Sequence, residues 1–261
     1  MSSFYPLRGG IAQFKQNPCN ELSKQHRVKA FNFKRQYPDF LFPGKTQYTD
    51  SPAPEEMNIV RCVNSVNPFN WIRVGLRINK ERPDMVLVRY WTPFLAPCLG
   101  TISYLAKRNK HTRILSLLDN VVPHETHFFD AWLTRYFVRS VDGFLYMSQQ
   151  VKQDLDQFTT SAPTCFSPHP VFANFGERVE RKEAIAHLDL SEETRYLLFF
   201  GIIRDYKGLD LLIDSWKWLK GKGLTQGKKV IVAGEYYNNK EKYQENSILQ
   251  LQQLDKDINK K

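Results

Sequence analysis

No stretch of the 261 residues approaches the ~20 consecutive apolar residues that a membrane-spanning helix needs. The opening residues, Met1-Ser2-Ser3-Phe4-Tyr5-Pro6, form neither the charged nor the greasy part of a secretory leader. Both absences predict a cytosolic protein. Cysteine is scarce and dispersed: Cys19, Cys62, Cys98 and Cys165 contain no C-x-x-C pair, which argues against a disulfide framework and against a zinc knuckle. They are expected as buried small hydrophobes. Acidic residues are the minority, 27 Asp and Glu against 37 Lys and Arg, leaving a formal charge of +10. An anionic partner therefore fits: phosphate, nucleic acid or an anionic membrane surface. Nucleic acid is the weakest of the three, because no RNP-like aromatic stretch, zinc-finger spacing or basic helix forking from a heptad array accompanies the charge. With 42% hydrophobic and 13% aromatic residues the chain has enough apolar material for real cores, so disorder is not the default.

What is present is an alternation. Met85–Arg89, Arg113–Leu118 and Gly143–Met147 are short continuous apolar runs, and each is followed by a stretch with helical periodicity: Pro93–Arg108, Thr126–Arg139 and Ser148–Phe158. Apolar strands alternating with helices predict a parallel sheet covered on both faces. Upstream, Val28–Phe33 and Ile59–Val63 read as two further strands, separated by a Pro- and Tyr-rich loop from Gln36 to Glu56 long enough to serve as a lid or an acceptor-facing surface. Between Pro163 and Ser191 the pattern dissolves, which predicts a boundary: a first domain over 1–168, a linker over 169–190 and a second unit over 191–261. In that second unit Tyr196–Phe200 and Lys229–Ala233 read as strands, and Gly208–Leu219 and Lys240–Ile258 as helices. Two strands and two helices make a small core.

In such α/β sheets ligands sit beyond the carboxyl ends of the strands, and three places there draw interest. Gly9 and Gly10, ahead of a helix-like segment that Pro18 interrupts, would let backbone amides approach a phosphate or sugar oxygen; taken alone, the pair is better explained as a plain tight turn. Asp119 and His124 follow the strand ending at Leu118, and either could present a hydrogen-bonding or proton-handling group, or simply cap the next helix. The His124–His127 spacing of three is one short of the zincin pattern, so a metal site is not expected. The third place carries most. A strand ends at Gly201, Arg204 and Lys207 follow, and a helix starts near Gly208. Two cations plus the positive end of a helix suit a diphosphate better than a merely solvated loop would explain.

The segments FYPLRGGIAQF, DNVVPHE, DGFLYMSQQVKQDL, SPHPVFANFG, GIIRDYKGLDLLI and VAGEYY, taken in this order, resemble the family 4 (group 1) glycosyltransferases of the GT-B superfamily. That resemblance covers nearly the whole chain. It implies an α/β fold with a Rossmann-like parallel-sheet first domain and the first half of a second Rossmann-like domain, the two facing across a cleft. It implies transfer of a hexose from a nucleotide-diphosphate sugar to a glycan or lipid-linked glycan hydroxyl, with retention and without a metal ion or other cofactor, in a cytoplasmic enzyme able to sit peripherally on the inner membrane face. Arg204 and Lys207, with Gly201 before them, would hold the donor diphosphate; Gly9 and Gly10 would line the cleft opposite; His124 or Asp119 would approach the transferring sugar; Gly234 and Glu235 would border the base and ribose. Three departures stand out: family members begin with a strand where this chain has Met1, carry a paired-glutamate motif that would fall after Lys261, and often have His-Asn where this chain has Asp119-Asn120. The expectation is a fragment of such an enzyme, the alternative a non-catalytic remnant that binds sugar phosphates or a partner.

Overall fold

The structure, a computed structural model, describes residues 1–7, 18–19, 21–38, 48, 58–123, 127–158, 161–169, 176–201 and 203–234. These fall into two compact units, one ending at 169 and the other beginning at 176 among the described residues.

The first unit opens with strand β1 (Ala30–Arg35), then β2 (Ile59–Asn64), helix α1 (Pro68–Glu81) and β3 (Met85–Tyr90). A 3-10 turn (Pro93–Leu95) leads into α2 (Ala96–Ala106), followed by β4 (Arg113–Leu118), α3 (Asp130–Val138), β5 (Gly143–Tyr146), α4 (Gln149–Asp156) and β6 (Thr164–Phe166). The named strands pair in parallel, β1 with β2 and β3-β4-β5-β6 in chain order. Between the two sets stand Met1 and Ser2. The Met1 amine donates to the Leu87 carbonyl, the Arg89 amide donates to the Met1 carbonyl (3.1 Å), and the Ser2 amide donates to the Phe31 carbonyl (3.2 Å). Two residues thus stitch β1 to β3.

Local chemistry explains the helices. Asn67 caps α1 by accepting from the Asn70 amide (3.2 Å), and Pro68 occupies the first turn, where its missing N–H is no loss. The helix ends at Arg82 in the left-handed region, whose amide turns back to Ile78. Ser148 caps α4 by accepting from the Val151 amide. α1 lies close on α2 because Gly75 has no side chain: a Cβ there would sit 2.7 Å from Leu105 Cβ and 3.2 Å from the Ile102 carbonyl oxygen. The core gathers Phe33, Ile78, Val88, Leu95, Leu99, Ile102, Ile114 and Leu118. Tyr90 stacks on Phe137 at 4.3 Å between ring centres and shares a hydrogen bond with Thr134 (2.9 Å), so its buried hydroxyl is satisfied.

The second unit has α5 (Arg181–His187), β7 (Arg195–Phe200), α6 (Leu209–Gly221) and β8 (Lys228–Ala233), with β7 and β8 paired in parallel. Its core is Ile203, Leu209, Ile213, Trp216, Val230 and Val232. Much apolar surface stays uncovered: Leu198 is 63% and Phe200 76% exposed.

The observed elements correct the sequence reading in four places. Helix α1 falls in a stretch where the sequence reading places no element. The stretch read as patternless contains β6 and α5, whose Ile185 is buried. α3 begins at Asp130 rather than at 126, because the Asp130 carboxylate accepts from the His127 amide (2.7 Å) and fixes the start. Finally, only Cys98 is fully buried; Cys19 and Cys62 are half-buried and Cys165 is exposed on the three-residue β6. The Lys240–Ile258 helix lies outside the described residues, as does most of the 36–56 loop.

Candidate functional site

The β7-to-α6 connection is built from backbone first. Strand β7 ends at Phe200, and the Gly201 amide donates to the Ala233 carbonyl at the end of β8 (3.0 Å). The two strand ends come together through their glycines. A Cβ on Gly234 would fall on the carbonyl oxygen of Gly201, so position 234 admits no side chain without a backbone shift. Ile203, 1% exposed, plunges into the unit's core and pins the loop between Gly201 and Arg204. A 3-10 turn over Asp205–Lys207 follows, closed by the Lys207 amide donating to the Arg204 carbonyl (3.0 Å). Gly208 then begins α6 at φ 74°, a conformation that favours glycine.

This turn places Arg204 and Lys207 on a common support. The guanidinium carbon of Arg204 stands 6.0 Å, and Lys207 Nζ 5.3 Å, from the ring centre of Tyr206. Each cation lies within reach of the ring's π cloud, whose negative face favours it. The first turn of α6 has no side-chain cap among the described residues, which leaves its leading amides without that partner at the positive end of the helix dipole. Two cations, an aromatic ring beside both and a helix start without a side-chain cap are groups that could receive an anion. Of the residues the sequence pointed to, Gly201 and Gly234 meet at the two strand ends, and Arg204 and Lys207 lie in the loop and turn that follow β7; the contact of Tyr206 with both cations was not anticipated, although its place between them in the sequence was the available signal.

Asp119 is elsewhere, at the carboxyl end of β4 in the first unit. Its amide donates to the Tyr90 carbonyl (2.9 Å), and both of its carboxylate oxygens accept from the guanidinium of Arg89, Nε to Oδ2 and Nη2 to Oδ1. Arg89 is buried, 2% exposed, so Asp119 supplies the countercharge of an interior cation. Sequence reasoning passed over Arg89; the signal was a cation inside the apolar run Met85–Tyr90. It also passed over Asn32, fully buried on β1. The Asn32 side chain accepts from the Phe4 amide (3.0 Å) and donates to the carbonyls of Phe4 (3.0 Å) and Tyr5 (2.8 Å), fixing the segment that leads toward Gly9 and Gly10. Gly9, Gly10, His124 and Glu235 themselves lie outside the described residues.

Among the described residues no group of three or more His, Cys, Asp or Glu side chains could hold a metal ion, and no helix is long and apolar enough to cross a membrane.

No protein-family model matches the chain, and no curated protein matches it. Solved structures do. A glycosyltransferase from Rickettsia africae ESF-5 superimposes with a TM-score of 0.57 at 16% identity, over 78% of this chain and 56% of that one. OtsA without ligand (TM-score 0.43, 15% identity, 64% and 43% coverage) and an α,α-trehalose-phosphate synthase (UDP-forming) from Burkholderia vietnamiensis (0.44, 13%, 68% and 45%) share less. The chain thus spans little more than half the length of the Rickettsia structure. The likeness shows the fold: α/β and GT-B-like, with parallel Rossmann-like sheets in both units.

Proposed function

We propose that this chain is the donor-handling part of a glycosyltransferase that moves a hexose from a nucleotide-diphosphate sugar to a glycan or lipid-linked glycan hydroxyl. The observation that carries the reading is the convergence of Arg204 and Lys207 on Tyr206 at the uncapped start of α6. The GT-B-like fold supports it, and so do the six ordered segments that resemble family 4. As the bond from the anomeric carbon to the donor phosphate breaks, charge collects on the departing diphosphate. The guanidinium offers paired N–H donors to its oxygens, the ammonium a point charge, and the α6 amides a fixed dipole. These groups supply the positive charge that a metal ion would otherwise contribute, so the reaction proceeds without one. Retention follows if the leaving phosphate itself takes the acceptor's proton on the same face. Gly201 and Gly234 keep the strand ends low so that the nucleotide can lie across them, with Glu235 at its ribose; Gly9, Gly10 and His124 belong to the sugar end. The excess of cations suits an acceptor held at an anionic membrane surface on the cytoplasmic side.

Calorimetric titration of the chain with UDP, GDP and ADP tests the reading. One of the three should bind, and Arg204→Ala with Lys207→Ala should weaken it about a hundredfold, each charge-assisted contact contributing roughly 1.5 kcal/mol. Equal affinity in the double variant would remove the diphosphate from this loop.

A further inference from the structure

A separate concentration of positive charge belongs to the first unit alone. Beside β1, β2 and the first turns of α1 lies a pocket of about 730 Å3, within the range that small-molecule ligands occupy. Lys34 and Arg35 come to it from β1, Arg61 from β2 and Arg73 from α1. Among the described residues no carboxylate lines it, and none pairs with Lys34, Arg61 or Arg73. Glu81, the one acid of α1, is engaged by Lys29 (2.8 Å) and Arg77 (2.9 Å). A hollow lined by one sign of charge draws in the opposite sign.

The pocket's wall is fixed from within the unit. The Asn64 amide donates to Asn70 Oδ1 (2.7 Å), Asn70 Nδ2 donates to the Cys62 carbonyl (2.9 Å), and the Trp71 indole N–H donates to the Asn64 carbonyl (2.7 Å), so the start of α1 is sewn to β2. Asn64 and Asn67 spend their side-chain oxygens on the Val66 amide (3.1 Å) and the Asn70 amide (3.2 Å). What each offers a ligand is its N–H2 group, a donor. Phe69, 84% exposed, adds one apolar ring to the lining.

We infer that this pocket binds the phosphate monoester of a sugar or a lipid. Such a group carries close to two negative charges at neutral pH and spreads them over three oxygens. That suits cations supplied by three separate elements better than the two coplanar oxygens of a carboxylate do. The guanidinium forks of Arg61 and Arg73 take oxygens in pairs, Lys34 adds a point charge, and the Phe69 ring meets the carbon skeleton to which the phosphate is joined. The site shares no residue with the loop around Arg204 and Lys207, so it goes beyond the diphosphate reading and does not depend on it.

The test uses the whole chain already carrying Arg204→Ala and Lys207→Ala, so that only binding outside that loop is read. Cys62 lines the pocket and is half-buried, which makes its alkylation rate, followed by mass spectrometry, a local reporter. Exposed Cys165 is the reference. Glucose 1-phosphate should slow alkylation of Cys62 along a saturable curve without protecting Cys165, and uncharged glucose should do neither. With each curve normalised to its own ligand-free rate, Arg61→Ala and Arg73→Ala should each raise the half-saturating concentration about tenfold, the loss of one charge-assisted contact. Arg73→Lys should restore most of that loss, and Lys80→Ala, on α1 but outside the pocket, should change nothing. Vesicles of equal parts phosphatidylcholine and phosphatidic acid, compared with phosphatidylcholine alone, supply the lipid arm. Protection by these vesicles alone assigns the phosphate to a lipid, protection by glucose 1-phosphate alone assigns it to a soluble sugar, and either supports the site, as do both together. The inference fails if neither protects Cys62, if protection survives Arg61→Ala combined with Arg73→Ala, or if Lys80→Ala weakens it as much as they do, which marks diffuse surface charge.

Discussion

Replacing Asp119 by alanine should cost the first unit a large share of its stability. The side chain of Arg89 is 3% exposed and that of Asp119 15%, and the guanidinium spends two of its five N–H donors on the two carboxylate oxygens. Removing one partner of a buried ion pair costs about 3–5 kcal/mol, because the remaining charge loses its compensation. The partial exposure of Asp119 lets water reach the vacated side, which argues for the lower end, about 3 kcal/mol. With a urea dependence of about 2 kcal/mol per molar, the midpoint should fall by roughly 1.5 M. Urea unfolding followed by tryptophan fluorescence measures this directly. Replacing Arg89 by Met together with Asp119 by Leu should recover most of the loss, since it removes the buried cation together with its countercharge. A loss below about 1 kcal/mol for Asp119→Ala, with the double variant no better, would refute the reasoning.

Further expectations follow from other contacts. Gly234→Ala drives a methyl into the Gly201 carbonyl and should cost about 2 kcal/mol or more through a forced backbone shift; an unchanged melting temperature would show that the strand ends are not in contact. Thiol labelling at mildly alkaline pH should modify exposed Cys165 first and reach Cys98 only on unfolding, since burial pushes the Cys98 thiol far above its usual range; simultaneous labelling in the native protein would contradict this. Burial alone would raise the carboxyl of Glu81, but Lys29 and Arg77 outweigh it and hold it below 4.5. A lowered carboxyl stabilises the fold above its ordinary range and loses that contribution as pH falls through the depressed value. Glu81→Gln should accordingly flatten the acid limb of a urea-midpoint profile measured downward from above pH 4.5, and an unaltered limb would exclude the effect.

The parallel alternation was legible because β3, β4 and β7 contain continuous apolar runs, the sequence pattern of strands buried on both faces, although β7 itself is largely exposed. α1 was legible too and was passed over. Trp71, Val74, Gly75 and Ile78 stand at helical spacing and face the core, although exposed Phe69, Ile72 and Leu76 stand among them in the sequence. The Asn67-Pro68 start was the legible cue. β6 has three residues, all exposed, and exists only by pairing with β5. At the candidate site, a cationic loop between strand and helix could be read from residue order. That Tyr206 would support both cations depended on the turn's geometry, and that Asp119 would be held by Arg89, thirty residues earlier, depended on the β3–β4 register.

The uncovered face of the two-stranded β7–β8 sheet has a practical consequence for handling. Leu198 and Phe200 present bare greasy surface beside two strands that have no outer neighbour among the described residues. Such an edge templates its own kind. Concentrated stocks of the second unit, cut free from the first, should scatter light within hours, and a lysine at position 198 should keep them clear.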